Sequence, residues 1–152
     1  MGSLFKKDRR EELVRRVRTL RPDSARRWGR MTPNQAVCHL SDSFKGILGD
    51  RPVRPRPGGL RVRVARFLAF STPMPWPKGV RTTAEMDAER GGSSPSDFEV
   101  DVQELESLIQ RFADTDGRGL APHHVWGSLS RGEWGRYGYR HVDHHLRQFS
   151  VD

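Results

Sequence analysis

The sequence predicts an all-α fold, and three observations predict it. Apolar residues recur at intervals of three and four in several segments, two of those segments open on a capping box, and proline and glycine punctuate the stretches between them. With 152 residues the chain falls within the roughly 100–200 residues of one domain, so residues 1–152 are expected to share one core. It is polar for its size, with 34% hydrophobic residues and a mean hydropathy of −0.76, but its amphipathic runs argue against disorder.

The compartment is read from what the sequence lacks. No run approaches the roughly 18 apolar residues of a membrane span, and the N-terminal residues lack the apolar stretch of a signal peptide. Lys6 stands where a myristoylation motif requires Ser or Thr. A single cysteine, Cys38, excludes an internal disulfide and fits a reducing compartment. A cytoplasmic protein with no membrane partner is expected.

Residues 6–20 form a first helix, with Leu13, Val14, Val17 and Leu20 on one face and charges on the other. Pro22 ends it, and a turn of helix through the packing residue Trp28 is expected before Gly29. A second helix opens at Thr32, where Gln35 completes a capping box and Pro33 occupies the first helical position. It runs to about Leu48 and closes on Gly49. Ala36, Leu40, Phe44 and Ile47 make its apolar stripe, with His39 at the stripe's edge, able to turn inward. Taken alone, such a histidine is more commonly structural. Cys38 projects nearly opposite the stripe, away from any ligand set. Asp42 is either a carboxylate that orients His39 or an ordinary solvated residue.

Residues 51–59 hold three prolines and two glycines and form an irregular connection. Residues 60–70 read as a short helix, because a lone strand would leave its backbone unpaired. Prolines 73, 75 and 77 keep residues 71–83 from being helical, and such a loop can fold over the mouth of a bundle with Trp76 lining a pocket or simply packing. Residues 91–95 are expected to form a mobile tip. Phe98, Val102, Leu105, Ile109 and Phe112 mark a core-facing helix from near Asp101 to Phe112. His123 and His124 lie in the bridge that follows, where a solvated or capping role is the expectation.

The last helix, residues 130–149, begins with a capping box of Ser130 and Glu133. Trp134, Gly138, His141, His145 and Phe149 share one stripe, which should face the core. Two imidazoles one turn apart on an apolar stripe need a partner. A shared metal ion is one such partner, as in helical HxxxH sites, but this is not the zincin motif, since Val142 follows His141 and no glutamate stands beside it as base. Core histidines bonded to carbonyls or a carboxylate explain the pair equally well. A third ligand would decide between them, and His39 is the natural one.

The net charge of +8 and a pI near 10.7 raise the question of nucleic acid. The excess is arginine scattered through the chain, without the interleaved aromatics of a stacking platform, so a general basic surface is favoured.

Three stretches resemble a known family: WGRMTPNQAVCHLSDSFKGILG at 28–49, WPKG at 76–79 and PHHVWGSLSRGEWGRYGYRHVDHHLRQF at 122–149. Together they are similar to the DinB/YfiT-like superfamily, and most similar to a branch known only as a domain of unknown function. The resemblance implies a four-helix bundle with long irregular connections, in which one histidine of the second helix and an HxxxH pair of the last helix bind a divalent ion, commonly zinc or nickel. Carried onto this chain, the ligands are His39, His141 and His145. Some members use the ion to activate a low-molecular-weight thiol, which makes such a thiol a second candidate cofactor.

Three neutral imidazoles leave a coordination position open, as in catalytic rather than closed structural sites. The expectation is therefore a metal-dependent transferase, thiol-dependent in one form, or a hydrolase acting on a small-molecule substrate, with the pocket roofed by residues 71–83 and the region from Trp126 to Trp134. No motif names a general base; Asp42, Glu85 and Asp143 are the carboxylates to consider. The rival readings are a non-enzymatic bundle with a structural metal or hydrogen-bonded His cluster, and a basic nucleic-acid-binding module. A homodimer through unused helix faces is compatible with an all-α bundle, although no residue marks the surface.

Overall fold

Five α-helices and no named strand make up the described residues, 2–55, 58–80 and 83–152 of a computed structural model. They are α1 (Lys7–Thr19), α2 (Pro33–Leu48), α3 (Leu60–Ser71), α4 (Phe98–Asp114) and α5 (Arg131–Gln148), with a 3-10 turn at Ala84–Met86. The all-α expectation holds for these residues. Of the two irregular connections, Arg56, Pro57, Arg81 and Thr82 lie outside the described residues. No described helix is long and apolar enough to cross a membrane.

The signals that predicted the helix ends act as expected. The Thr32 hydroxyl accepts from the Gln35 N–H at 3.2 Å while the Gln35 side chain accepts from the Thr32 N–H at 2.9 Å. Ser130 and Glu133 repeat the pattern at the start of α5. Gly49 ends α2 at φ 84°, a left-handed position that favours glycine. Helix α4 starts three residues before the expected Asp101, because Asp97 accepts from the Val100 N–H at 3.1 Å and so caps an extra turn.

Helix α2 lies along α4 and α1 along α5, with further contacts of α1 to α4, α2 to α5 and α3 to α5. Leu13 and Val17, Leu40 and Phe44, Leu105, Ile109 and Phe112, and Val142 and Leu146, from α1, α2, α4 and α5, are buried in one cluster. Each such side chain contributes about 1.5–3 kcal/mol by leaving water. The chain before α1 is drawn into the same core: Leu4 is fully buried and its N–H donates to the Gly135 carbonyl at 3.0 Å. A Cβ at Gly138 would lie 2.6 Å from Leu4 and 2.9 Å from Phe112, so this stripe position has room only for hydrogen.

Helix α3 stands apart from that core and buries only Phe70, which meets the rings of Trp76 and Trp126. Three arginines fasten it and the loop after it to α5. Arg66 forms a two-pronged ion pair with Glu133 at 2.8 Å, Arg136 donates to the Phe70 carbonyl, and Arg140 donates to the carbonyls of Ala69, Thr72 and Met74.

Three local expectations are corrected. Residues around Trp28 form no turn of helix; the Arg27 N–H donates to the Gln148 carbonyl at 2.8 Å, so this segment satisfies its backbone against the end of α5 instead of within itself. Asp42 is not solvated, being fully buried with Arg51 at 2.6 Å and the Ser93 N–H and hydroxyl both at 2.7 Å. The same bonds hold Ser93 against α2, so residues 91–95 are tied to the core by a buried carboxylate and are not a free tip.

Candidate metal centre

His39 is buried on α2, and His141 and His145 are half-buried one turn apart on α5. The packing of α2 against α5 brings the three rings together, with centroids 4.9–5.2 Å apart. One ligand nitrogen from each lies within 4.8 Å of the others, so the three could hold a metal ion. The spacing of His141 and His145 on one face follows from helix geometry. The arrival of His39 depends on the packing.

Each Nδ1 has a partner turned away from the shared centre. His39 Nδ1 lies 2.9 Å from the Met86 carbonyl, which can only accept, so this nitrogen carries the proton. The Gln148 amide donates to the Trp28 carbonyl at 2.8 Å, which turns its oxygen toward His145 Nδ1 at 2.9 Å and places a proton there too. His141 Nδ1 lies 3.1 Å from the Tyr137 hydroxyl. The Ser43 hydroxyl donates to the His39 carbonyl at 2.8 Å. A hydroxyl both donates and accepts, so the Tyr137 bond is compatible with the His141 proton on either ring nitrogen.

His39 and His145 thus direct Nε2 lone pairs at the shared centre, and His141 adds a third when its proton is on Nδ1. The Nε2 atoms of His39 and His141 are only 3.1 Å apart, a repulsive arrangement unless a cation or a shared proton lies between them. Burial lowers the pKa of all three rings, reinforced at His141 and His145 by the neighbouring imidazoles and opposed at His39 by the Met86 carbonyl and Asp42. Each is therefore the neutral imidazole that a metal requires. Nitrogen donors of this kind suit zinc, nickel, copper or iron.

One ring covers this cluster. Trp76 lies 5.9 Å from His141 and 6.0 Å from Tyr137, where the proline-rich loop carries it. Trp126 and Trp134, expected in the same roof, stand instead against His123 and, for Trp134, Tyr137. Beside the cluster, His144 faces Trp28 and Trp76, and the Lys78 ammonium lies 4.4 Å over the Trp28 ring.

The other polar residues singled out in the sequence sit elsewhere. Asp42 commits its oxygens to Arg51 and Ser93, Asp143 pairs with Arg16 at 2.8 Å and Arg147 at 2.9 Å, and the pKa of Glu85 is lowered first by its own backbone N–H and then by Thr83 and Arg54. Cys38 is buried against Asp101, and burial first, then that carboxylate, pushes its thiol up to about 12. His123 is not solvated. Its Nδ1 accepts the Val125 and Trp126 N–H groups, a capping role, in a buried site that lowers its pKa to about 2.

Sequence reasoning passed over Met86, Tyr137 and Gln148, which bond to the three rings. Two carried a signal: Tyr137 precedes His141 by four residues and Gln148 follows His145 by three, so both share a helix face with the ring they bond. A backbone carbonyl such as that of Met86 carries none.

The model of one family, described as protein of unknown function (DUF1569), matches residues 6–151, and the chain belongs to that family. The match spans α2 and α5 and hence all three histidines. No curated protein and no solved structure matches the chain.

Proposed function

We propose that this member of the DUF1569 family is a metal-dependent enzyme of the DinB/YfiT-like superfamily, in which His39, His141 and His145 hold a divalent ion, zinc or nickel by the resemblance to that superfamily. In this reading the chain is one domain, and α1, α2, α4 and α5 form a four-helix bundle with α3 attached outside it. The reaction is a transfer, with a low-molecular-weight thiol as one candidate co-substrate, or a hydrolysis of a small molecule. The observation that carries the proposal is the convergence of the three rings with every Nδ1 bonded to a partner outside the cluster, which turns the three Nε2 atoms toward one another.

A divalent ion on three imidazoles supplies Lewis acidity and makes a water or thiol at an open position more acidic. The chain's own residues prepare the site for it. Met86, Tyr137 and Gln148 fix the rings, and Met86 and Gln148 keep the His39 and His145 protons on Nδ1. Trp76 keeps bulk water off His141. The carboxylates Asp42, Glu85 and Asp143 are engaged elsewhere, so the reading assigns none of them as base. A cytoplasmic location accords with the single thiol.

Elemental analysis of the purified protein tests the assignment directly. Stoichiometric metal is expected, retained by Ser93→Ala and lost from His141→Ala or His145→Ala with helical content unchanged. Undiminished uptake in either His variant refutes it. Tyr137→Phe should weaken zinc binding about tenfold, because the acceptor for the His141 Nδ1 proton is gone. Assays of thiol transfer and of ester and amide hydrolysis then separate the two reaction classes.

The 3.1 Å separation of His39 Nε2 and His141 Nε2 also suits an N–H···N bond, which supports a second reading, a metal-free structural histidine cluster. That reading requires the His141 proton on Nε2. Nitrogen-15 chemical shifts of His141 in chelator-treated protein distinguish the two, since the metal reading requires the proton on Nδ1.

A further inference from the structure

The net charge is not spread through the chain. Residues 51–84 contain eight of the 27 basic residues and none of the 19 acidic ones, which leaves 19 of each sign in the remainder. The whole +8 therefore resides in one segment, the one that contains α3. The same segment supplies six of the seven large hydrophobic side chains exposed among the described residues: Leu60, Val64, Phe67, Leu68, Met74 and Val80.

On α3 the two features are ordered. At about 100° per residue, Leu60, Val64, Phe67 and Leu68 fall within an arc of about 100°, with Arg61 just beyond one edge and Arg63 just beyond the other. Their exposures are 77%, 53%, 62% and 39%. The opposite face carries Val62, Arg66, Ala69 and Phe70, which are half-buried or buried toward α5. The outward face is thus an apolar stripe rimmed by arginines on a convex helix, and Arg61 and Arg63 form no ion pair among the described residues. The next loop continues it with Met74 and Val80, exposed at 50% and 71%.

We propose that this face docks on an anionic phospholipid surface, with α3 lying in the plane of the headgroups. Its chemistry matches that of an interfacial helix: aliphatic and phenyl groups enter the acyl boundary while the rim arginines pair with lipid phosphates. No acidic residue stands within these 34 consecutive positions to oppose such a surface. A second copy of the chain is disfavoured, since stripe-to-stripe packing would oppose two segments that each hold the full positive charge. Nucleic acid would pair with the arginines but leave the stripe in water. The site would face the cytosol from a peripheral position, in place of the expectation of no membrane partner.

Co-sedimentation of the full chain with vesicles of phosphatidylcholine alone, and of phosphatidylcholine mixed with phosphatidylglycerol, tests the proposal. Binding to the mixed vesicles only, weakened by salt, is expected. Arg61→Gln with Arg63→Gln should reduce it roughly thirtyfold, about fivefold per charge. Leu60→Ser with Phe67→Ser should reduce it about tenfold or more. All four side chains are exposed, so both variants should keep the wild-type melting curve. No sedimentation with mixed vesicles at low salt overturns the proposal, and so does binding that the apolar pair leaves unchanged. Tight duplex DNA binding without vesicle binding, or a dimer abolished by the apolar pair, replaces it with the corresponding partner.

Discussion

Replacing Gln148 by leucine separates orientation of the cluster from its mere presence. Gln148 is buried, and its amide bridges the Trp28 carbonyl at 2.8 Å and His145 Nδ1 at 2.9 Å. Leucine keeps most of the volume and removes both bonds, leaving His145 free to move its proton to Nε2, the wrong tautomer for a ligand. Loss of such an orienting partner lowers metal affinity about 10–100-fold, or roughly 1.4–2.7 kcal/mol. The unpartnered Trp28 carbonyl and His145 N–H cost about 2 kcal/mol of stability, so the melting temperature of the metal-free protein should fall by roughly 4–8 °C. Zinc affinity measured by competition with a chromophoric chelator, alongside a thermal melt, reads both effects. Ser93→Ala is the control: it removes a hydroxyl from buried Asp42, lowers the melting temperature by a similar amount and should leave zinc affinity unchanged. Wild-type zinc affinity in a folded Gln148→Leu protein would refute the argument that the amide sets the His145 tautomer.

Two further outcomes concern the fold. The Glu133 carboxyl is held down to about 2, chiefly by Arg66, so its folded pKa lies below the ordinary value near 4.5. Its contribution is present above that ordinary value and fades as pH falls toward 2, so the melting-temperature gap between wild type and Glu133→Gln should be open at neutral pH and closed at the acid end. A gap that widened on acidification would contradict the pairing. Gly138→Ala places a methyl 2.6 Å from Leu4 and should cost about 1–3 kcal/mol despite the better helix propensity of alanine; a raised melting temperature would show that the N-terminal residues do not pack there.

Expectations drawn from local chemistry held where the physics is local. The two capping boxes, Gly49 at the end of α2 and the faces of α1, α2, α4 and α5 each follow from interactions spanning four residues or fewer. The errors fall where a distant partner decides. Residues near Trp28 found their backbone partner in Gln148, and Asp42 found Arg51 and Ser93. His123 plays the capping half of its expected role, but it does so buried, under two tryptophans and Tyr137 brought from α5 and the turn before it.

The candidate site divides in the same way. Sequence by itself placed His141 and His145 on one face and His39 on another inward stripe, because helical periodicity determines which side chains share a face. The net charge, read there as scattered arginine, falls by count in residues 51–84. Only the tertiary structure decided that α2 and α5 approach closely enough to bring three rings together, and that Met86, Tyr137 and Gln148 turn the nitrogens inward. Packing between helices depends on the summed fit of side chains far apart in the chain, and no single window of sequence contains that sum.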